Sequence, residues 1–187
     1  MKIGVLAFHG DFEEHMATLR SLKVESKEVR TLEALAMVDA LIIPGGESTV
    51  ISRFLKMYGL DEELKKKSAK SFPIFGTCAG AIVLAKKITG GEGPKALDLI
   101  DIDIDRNAYG TQLDSFDTAL NVKGIEEPVQ VSFIRAPIVT RVGRDVEILA
   151  LKGDKPVILK QNNVLVATCH PEMRGETAIH EFFLTMI

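Results

Sequence analysis

Three side chains that together can attack a carbonyl carbon stand in telling surroundings: Cys78, His170 and Glu172. Cys78 lies in Gly76-Thr77-Cys78-Ala79-Gly80, between the apolar run Phe72-Pro73-Ile74-Phe75 and the helical pattern Ala81-Ile82-Val83-Leu84-Ala85. A strand, a sharp Gly-x-Cys-x-Gly turn and a helix make a nucleophile elbow, with cysteine where many hydrolases carry serine. The glycines leave room for the tight turn. The elbow is expected to lift the sulfur above the sheet edge at a helix N-terminus. Unpaired N–H groups and the helix dipole there favour thiolate over thiol. The competing reading is a small, well-packed apolar side chain.

A second stretch, Cys169-His170-Pro171-Glu172, follows the apolar run from Val164 to Thr168. Active-site groups in open α/β sheets gather at the carboxyl ends of strands, and His170 is expected at one. Pro171 favours extended backbone at His170, and residues two apart in an extended segment share a side, so Glu172 should meet the imidazole. A carboxylate there holds the tautomer and stabilises the imidazolium. Cys78, His170 and Glu172 thus read as nucleophile, base and orienting acid. A plain surface turn is the alternative for His-Pro-Glu. By the same alternation Cys169 points away, into the core, and a disulfide with Cys78 is not expected.

Pro44-Gly45-Gly46-Glu47-Ser48 is the third element. Its glycines let backbone N–H groups approach a ligand closely. Gly46 can supply one oxyanion-hole donor and Ala79, just after the nucleophile, the other. No Gly-Lys-Ser/Thr follows, which argues against a phosphate loop.

Alternating elements must position these groups. Strands are expected at Ile3 to Phe8, Val24 to Val29 and Ala40 to Ile43, with helices from about Glu13 to Leu22, Thr49 to Tyr58 and Leu60 to Lys70. The all-apolar Ala40-Leu41-Ile42-Ile43 suits a parallel strand covered on both faces. Past about Gly90 the pattern changes. Ile100, Ile102 and Ile104 alternate with Asp101, Asp103 and Asp105, a one-sided strand rather than a metal site. Val129 to Ile134, Ile138 to Val142, Glu147 to Leu151 and Val157 to Lys160 read as closely spaced antiparallel strands, and Thr177 to Ile187 as a closing helix. The expectation is one α/β domain over residues 1–187: a mostly parallel, flavodoxin-like sheet covered by helices on both faces, with an antiparallel addition in the second half.

Composition agrees with that frame. A chain of 187 residues with 46% hydrophobic and 26% charged residues can bury a sizeable core. A net charge of −3 argues against a nucleic-acid footprint or an anionic-membrane binder. The apolar N-terminal stretch is short and is followed at once by His9, Asp11, Glu13 and Glu14, so it reads as a first strand, not a signal peptide. Two cysteines make no disulfide framework, and a cytoplasmic setting is expected.

The elbow together with Cys169-His170-Pro171-Glu172 resembles the triad-type, class I glutamine amidotransferases. Four further stretches resemble the glutaminase subunits of pyridoxal 5'-phosphate synthase. They are Phe8-His9-Gly10 through Glu14-His15, Pro44 to Thr49, Arg106-Asn107-Ala108-Tyr109-Gly110, and Ser132-Phe133-Ile134-Arg135-Ala136-Pro137. The resemblance runs from the first strand to the last helix and implies hydrolysis of L-glutamine to glutamate and ammonia, passed to a separate synthase subunit. It implies Cys78, His170 and Glu172 as the triad, and Gly46, Glu47, Ser48, Arg106, Ile134 and Arg135 as the glutamine site. An arginine suits the α-carboxylate of glutamine through bidentate pairing. Neither cofactor nor metal is implied. The chain departs from the family in one place: His9 stands before Gly10 where a Gln is usual, a position tied to activation on subunit docking. His15 and His180 lie on helical segments and read as structural or surface residues. Two rivals stay open, a stand-alone cysteine hydrolase or peptidase and a non-catalytic module of the same fold; a glutaminase component of another amidotransferase is a nearer variant.

Overall fold

The computed structural model describes residues 1–91, 93–107 and 115–187. The elements in chain order begin with β1 (Lys2–Leu6), α1 (Phe12–Ser21), β2 (Glu25–Val29), α2 (Leu32–Ala36), β3 (Ala40–Ile43), α3 (Ser48–Met57) and α4 (Leu60–Ser68). The elbow follows as β4 (Ile74–Thr77) and α5 (Ala79–Leu84). The second half carries β5 (Ala85–Thr89), β6 (Ile100–Asp105), β7 (Phe116–Leu120), β8 (Val129–Phe133) and β9 (Ile138–Val142). It ends with β10 (Glu147–Lys152), β11 (Lys155–Gln161), β12 (Val164–Ala167), a 3-10 turn at Pro171–Arg174 and α6 (Ala178–Leu184).

Seven strands form the main sheet in the order β10-β11-β12-β4-β3-β1-β2. Every pairing from β12 through β2 is parallel, whereas β10–β11 and β11–β12 are antiparallel. The carboxyl ends of β1, β3, β4 and β12 therefore share one edge, and the segments carrying His9, Gly46, Cys78 and His170 leave from it. This is where a parallel sheet collects its ligand groups. β5-β6-β9 form a second small sheet and β7-β8 a third, so the expected antiparallel addition is split between the main sheet's edge and two satellites.

The central strands are apolar on both faces, and successive residues feed opposite cores. Leu6, Leu41, Ile43, Val164 and Val166 join Ile51 and Leu55 of α3, Leu60 and Leu64 of α4, and the whole of α5. Ile3, Val5, Ile42, Phe75, Leu165 and Ala167 join Leu19 of α1, Ile179 and Phe183 of α6, and the β7–β8 pair. Burying one such Leu or Phe contributes about 1.5–3 kcal/mol, so both faces clamp the strands that carry the site.

Several elements differ from the sequence expectation. α2 has five residues, too few for periodicity to reveal, and begins with the Thr31 side chain accepting from Ala34 N–H at 3.2 Å. β5 carries exposed Lys86 and Lys87 and is not expected from the sequence; it forms because it pairs with β6. β6 keeps its alternation, and its aspartates are drawn into ion pairs: Asp101 meets Lys86 at 2.9 Å and Arg141 at 2.6 Å, and Asp103 meets Arg141 at 3.0 Å.

Candidate active site

Thr77 ends β4, and Cys78 follows with φ +46° and ψ −101°, a strained backbone for a residue with a Cβ. Cys78 N–H donates to Ala167 O at 2.8 Å and Cys78 O accepts from Ile82 N–H at 3.2 Å, so β12 and α5 hold the turn from both sides. The flanking glycines permit the close packing. A Cβ on Gly76 would lie 2.7 Å from the Gly80 carbonyl carbon, and one on Gly80 would run into the Ile43 carbonyl of β3. Ala79 begins α5, so its N–H has no partner one turn back in the helix. The Cys78 sulfur is nearly buried and lies 4.0 Å from Ile134 O.

His170 leaves β12 and is fastened by paired backbone bonds to Ser132: His170 N–H to Ser132 O at 2.8 Å, and the return bond at 3.2 Å. This bridge also brings Ile134, just past the end of β8, to the sulfur. Glu172 Oε1 lies 2.9 Å from His170 Nδ1. The route to that contact is not the extended one expected. Glu172 sits in the 3-10 turn Pro171–Arg174, with Pro171 at its first position, where a proline's missing N–H costs nothing.

A fourth group was not singled out in the sequence. Asp11, between β1 and α1, places Oδ2 3.3 Å from His170 Nδ1. The imidazole nitrogen thus faces two carboxylates. Gly45 makes this possible, because a Cβ there would meet both the imidazole ring and Asp11 Oδ2, the latter at 2.7 Å. Burial lowers the His170 pKa, but hydrogen bonds to Asp11, Cys78 and Glu172 outweigh it and push it up to about 12. The same contact holds Asp11 below the usual carboxylate range. Burial pushes the Glu172 carboxyl up, and the hydrogen bond and charge of His170 offset only part of that rise. At 2.9 Å, Nδ1–H of His170 donates to Glu172 Oε1, so Glu172 is read as the carboxylate of the pair. Asp11, His170 and Glu172 offer donor atoms within 4.8 Å of one another, close enough for a cation. His170 Nδ1 is already occupied by both carboxylates, so the set suits a proton better than a metal.

The loop after β3 closes the arrangement. Gly46 and Glu47 are exposed and Ser48 is buried at the start of α3, with the Glu47 side chain accepting from Thr49 N–H at 3.3 Å. His9 is exposed, and its Nδ1 accepts the Glu47 N–H at 3.2 Å, tying the β1 loop to the β3 loop. Phe8 anchors that loop by stacking on Phe54 and Tyr58 of α3, with ring centroids 5.2 and 5.3 Å apart. Arg106 reaches the same corner: Nη1 donates to Thr49 Oγ1 at 3.2 Å, while its buried Nε has no partner among the described residues. Arg135 is exposed with φ +46°, and Ile134 is half-buried. Ala108, Tyr109 and Gly110 of the Arg-Asn-x-Tyr-Gly stretch lie outside the described residues. Cys169 is fully buried, its thiol pushed up by burial, and both cysteines are free.

The profile of the SNO glutamine amidotransferase family matches residues 5–187. The chain belongs to that family. It is 51% identical over 187 residues to the pyridoxal 5'-phosphate synthase subunit PdxT of Thermosipho africanus, covering 100% of this chain and 99% of the relative. It is 48% identical to the subunit of the same name from Fervidobacterium nodosum, covering 100% and 97%. A solved structure described as a glutamine amidotransferase superposes with TM-score 0.93 at 44% identity, covering 98% of this chain and 97% of that one. PurLQS from Thermotoga maritima, at 15% identity and TM-score 0.71, shares the fold. Of the residues that build this site, the elbow and the Cys-His-Pro-Glu segment were legible in sequence. Asp11 was not, because its contact with His170 spans nearly the whole chain; the one local signal was an acid beside Gly10 at a strand end.

Proposed function

We propose that this chain is the glutaminase subunit of a pyridoxal 5'-phosphate synthase: it hydrolyses L-glutamine and hands the ammonia to a synthase subunit. One observation carries the reading. Four loops from one edge of a parallel sheet bring a strained cysteine, a carboxylate-flanked histidine and a glycine loop together in a member of the SNO glutamine amidotransferase family.

In the mechanism, Cys78 thiolate attacks the side-chain amide carbon of glutamine. The oxyanion takes N–H donors from Gly46 and Ala79. His170 donates its proton to the departing nitrogen as the C–N bond breaks, leaving a thioester and ammonia. Water then attacks the thioester, His170 takes its proton, and glutamate leaves as the thiol is restored. Glu172 orients His170 and stabilises the imidazolium. Gly46, Glu47, Ser48, Ile134, Arg106 and Arg135 hold the amino acid. The buried Nε of Arg106, without a partner among the described residues, is a donor that the α-carboxylate can satisfy.

The partner follows from the product and from the relatives' description as synthase subunits. Residues 1–187 make up one glutaminase domain, and ammonia released to water would be protonated and lost. The exposure of His9, Gly46 and Glu47 supports a docking face at the site mouth. His9 holds the Glu47 N–H in this state, and docking reorders the loop to complete the oxyanion hole. No helix among the described residues is long and apolar enough to cross a membrane, and two buried free thiols suit a cytoplasmic setting. The test is glutamate formation by the chain alone and with its synthase subunit. Weak activity alone and clear stimulation are expected; full activity alone, unchanged by the synthase, favours a stand-alone hydrolase.

A further inference from the structure

Behind Glu172 lies a buried histidine pair that the mechanism above does not use. His15 of α1 and His180 of α6 are both fully buried, 165 residues apart in sequence, with His15 Nδ1 2.8 Å from His180 Nε2. The other nitrogen of His15, Nε2, lies 3.0 Å from Thr77 Oγ1 and 3.6 Å from Glu172 Oε1. His15 therefore touches the residue before the nucleophile, faces the carboxylate that orients His170, and leans on the last helix.

The protons of this chain can be placed. Only one proton lies between the two histidines, so either His180 donates to His15 or the reverse. If His15 Nδ1–H donated, His15 Nε2 would present a lone pair to the buried carboxylate of Glu172. His180 would then carry its own proton on Nδ1, which is buried and has no partner among the described residues. A buried N–H without an acceptor and a lone pair facing an anion are both unfavourable. With the proton on His180 Nε2, both faults vanish: His15 Nδ1 accepts, and His15 Nε2–H is donated to Thr77 with its positive end toward Glu172. A bare lone pair at His180 Nδ1 is the smaller cost. Burial in this apolar setting, which includes Phe75 edge-on to both rings, lowers the pKa of each histidine and keeps the pair neutral.

We infer that His15, held by His180 in the Nε2–H tautomer, is a positioning residue that keeps Glu172 ionised and aligned on His170 and ties it to the strand end at Thr77. Glu172 Oε2 has no hydrogen-bond partner among the described residues, so the Oε1 side must supply the support that a buried carboxylate needs. His170 Nδ1–H and the field of His15 Nε2–H both act there.

The kinetic part of the test rests on the glutaminase reading; the spectroscopic part does not. Nitrogen NMR of the full-length chain with labelled histidine reads the tautomers directly, with the four histidines assigned by single substitutions. Nε2 protonated and Nδ1 bare on both His15 and His180 is expected; a proton on His15 Nδ1 overturns the inference. With the synthase subunit present, His15→Phe should lower kcat about tenfold, because the positive end of Nε2–H no longer faces Glu172. KM should stay within about twofold. His15→Gln, whose amide N–H reaches the place of Nε2–H, should regain most of that loss. Equal losses in both variants, or a loss confined to KM, overturn the positioning role. If no variant can be produced folded, the wild-type tautomer still decides. A chain inactive on glutamine but showing the expected tautomers would refute the function and leave the proton placement standing.

Discussion

Replacing Asp11 with Asn removes one of the two carboxylates on His170 Nδ1 while keeping the side chain's shape. At 3.3 Å, a unit charge pair interacts by about 1 kcal/mol at the dielectric of water and about 5 kcal/mol at an effective dielectric of about 20. The Asp11 side chain is 32% exposed, which places the interaction toward the lower figure, about 2 kcal/mol after solvent screening. That is roughly 1.5 pKa units on His170, downward, since the lost carboxylate stabilised the imidazolium. The sign of the stability effect follows from both partners. His170 is raised above 6.5, so its contribution is full below that pH and is lost as pH rises through its folded value of about 12. Asp11 is lowered from 3.8, so its contribution is present above 3.8 and is lost as pH falls through its folded value. Asp11→Asn should therefore destabilise the chain by about 2 kcal/mol at neutral pH, with the deficit shrinking in acid below 3.8. Denaturant unfolding across pH measures this. In the glutaminase assay with synthase, kcat/KM should fall between about tenfold and thirtyfold. Unchanged stability at neutral pH together with unchanged turnover would refute the two-carboxylate account of His170.

Three other outcomes follow from the same geometry. Glu172→Gln keeps the shape but not the charge 2.9 Å from His170 Nδ1, and should lower kcat about a hundredfold or more while changing KM little; a pure KM defect in steady-state kinetics would place Glu172 outside the triad. His9→Ala removes the acceptor of the Glu47 N–H and should reduce stimulation by the synthase more than glutamine binding to the free chain, as calorimetry and coupled assay together can show; intact stimulation would free His9 of that role. Gly80→Ala drives a Cβ into the Ile43 carbonyl and should cost about 3 kcal/mol or prevent folding, read by thermal unfolding; a variant of wild-type stability would mean that α5 does not need its close approach to β3.

The legible parts of this molecule were those written in contiguous residues. The elbow was readable because its turn needs small residues at fixed places on either side of Cys78, and the parallel sheet because β3 and β12 are apolar throughout. What escaped depended on partners far away in sequence. β5 has an ordinary charged pattern and becomes a strand only through β6. The segment His170 to Glu172 reads as extended in sequence because proline restrains the residue before it, yet proline equally suits the first position of a 3-10 turn, and His170 keeps a non-helical φ of −114° before it. Asp11, His15 and His180 looked like ordinary polar residues on a loop and two helices. Only the packing of α1 and α6 on the same face of the sheet brings them to Glu172 and His170. His15 and His180 are buried and linked to the site's edge, where the sequence suggested structural or surface residues.

The proposed mechanism rests on Cys78 as the nucleophile, with the other groups serving its attack on glutamine. Cys78→Ala removes the sulfur at a position where the smaller side chain fits, while the residues proposed to hold glutamine and the backbone N–H of Ala79 remain. Glutamate release by this variant, with the synthase subunit present and glutamine binding measured in parallel, is the direct test. Binding close to wild type and glutamate formation at the uncatalysed background are expected. Substantial turnover by Cys78→Ala would contradict the nucleophile assignment.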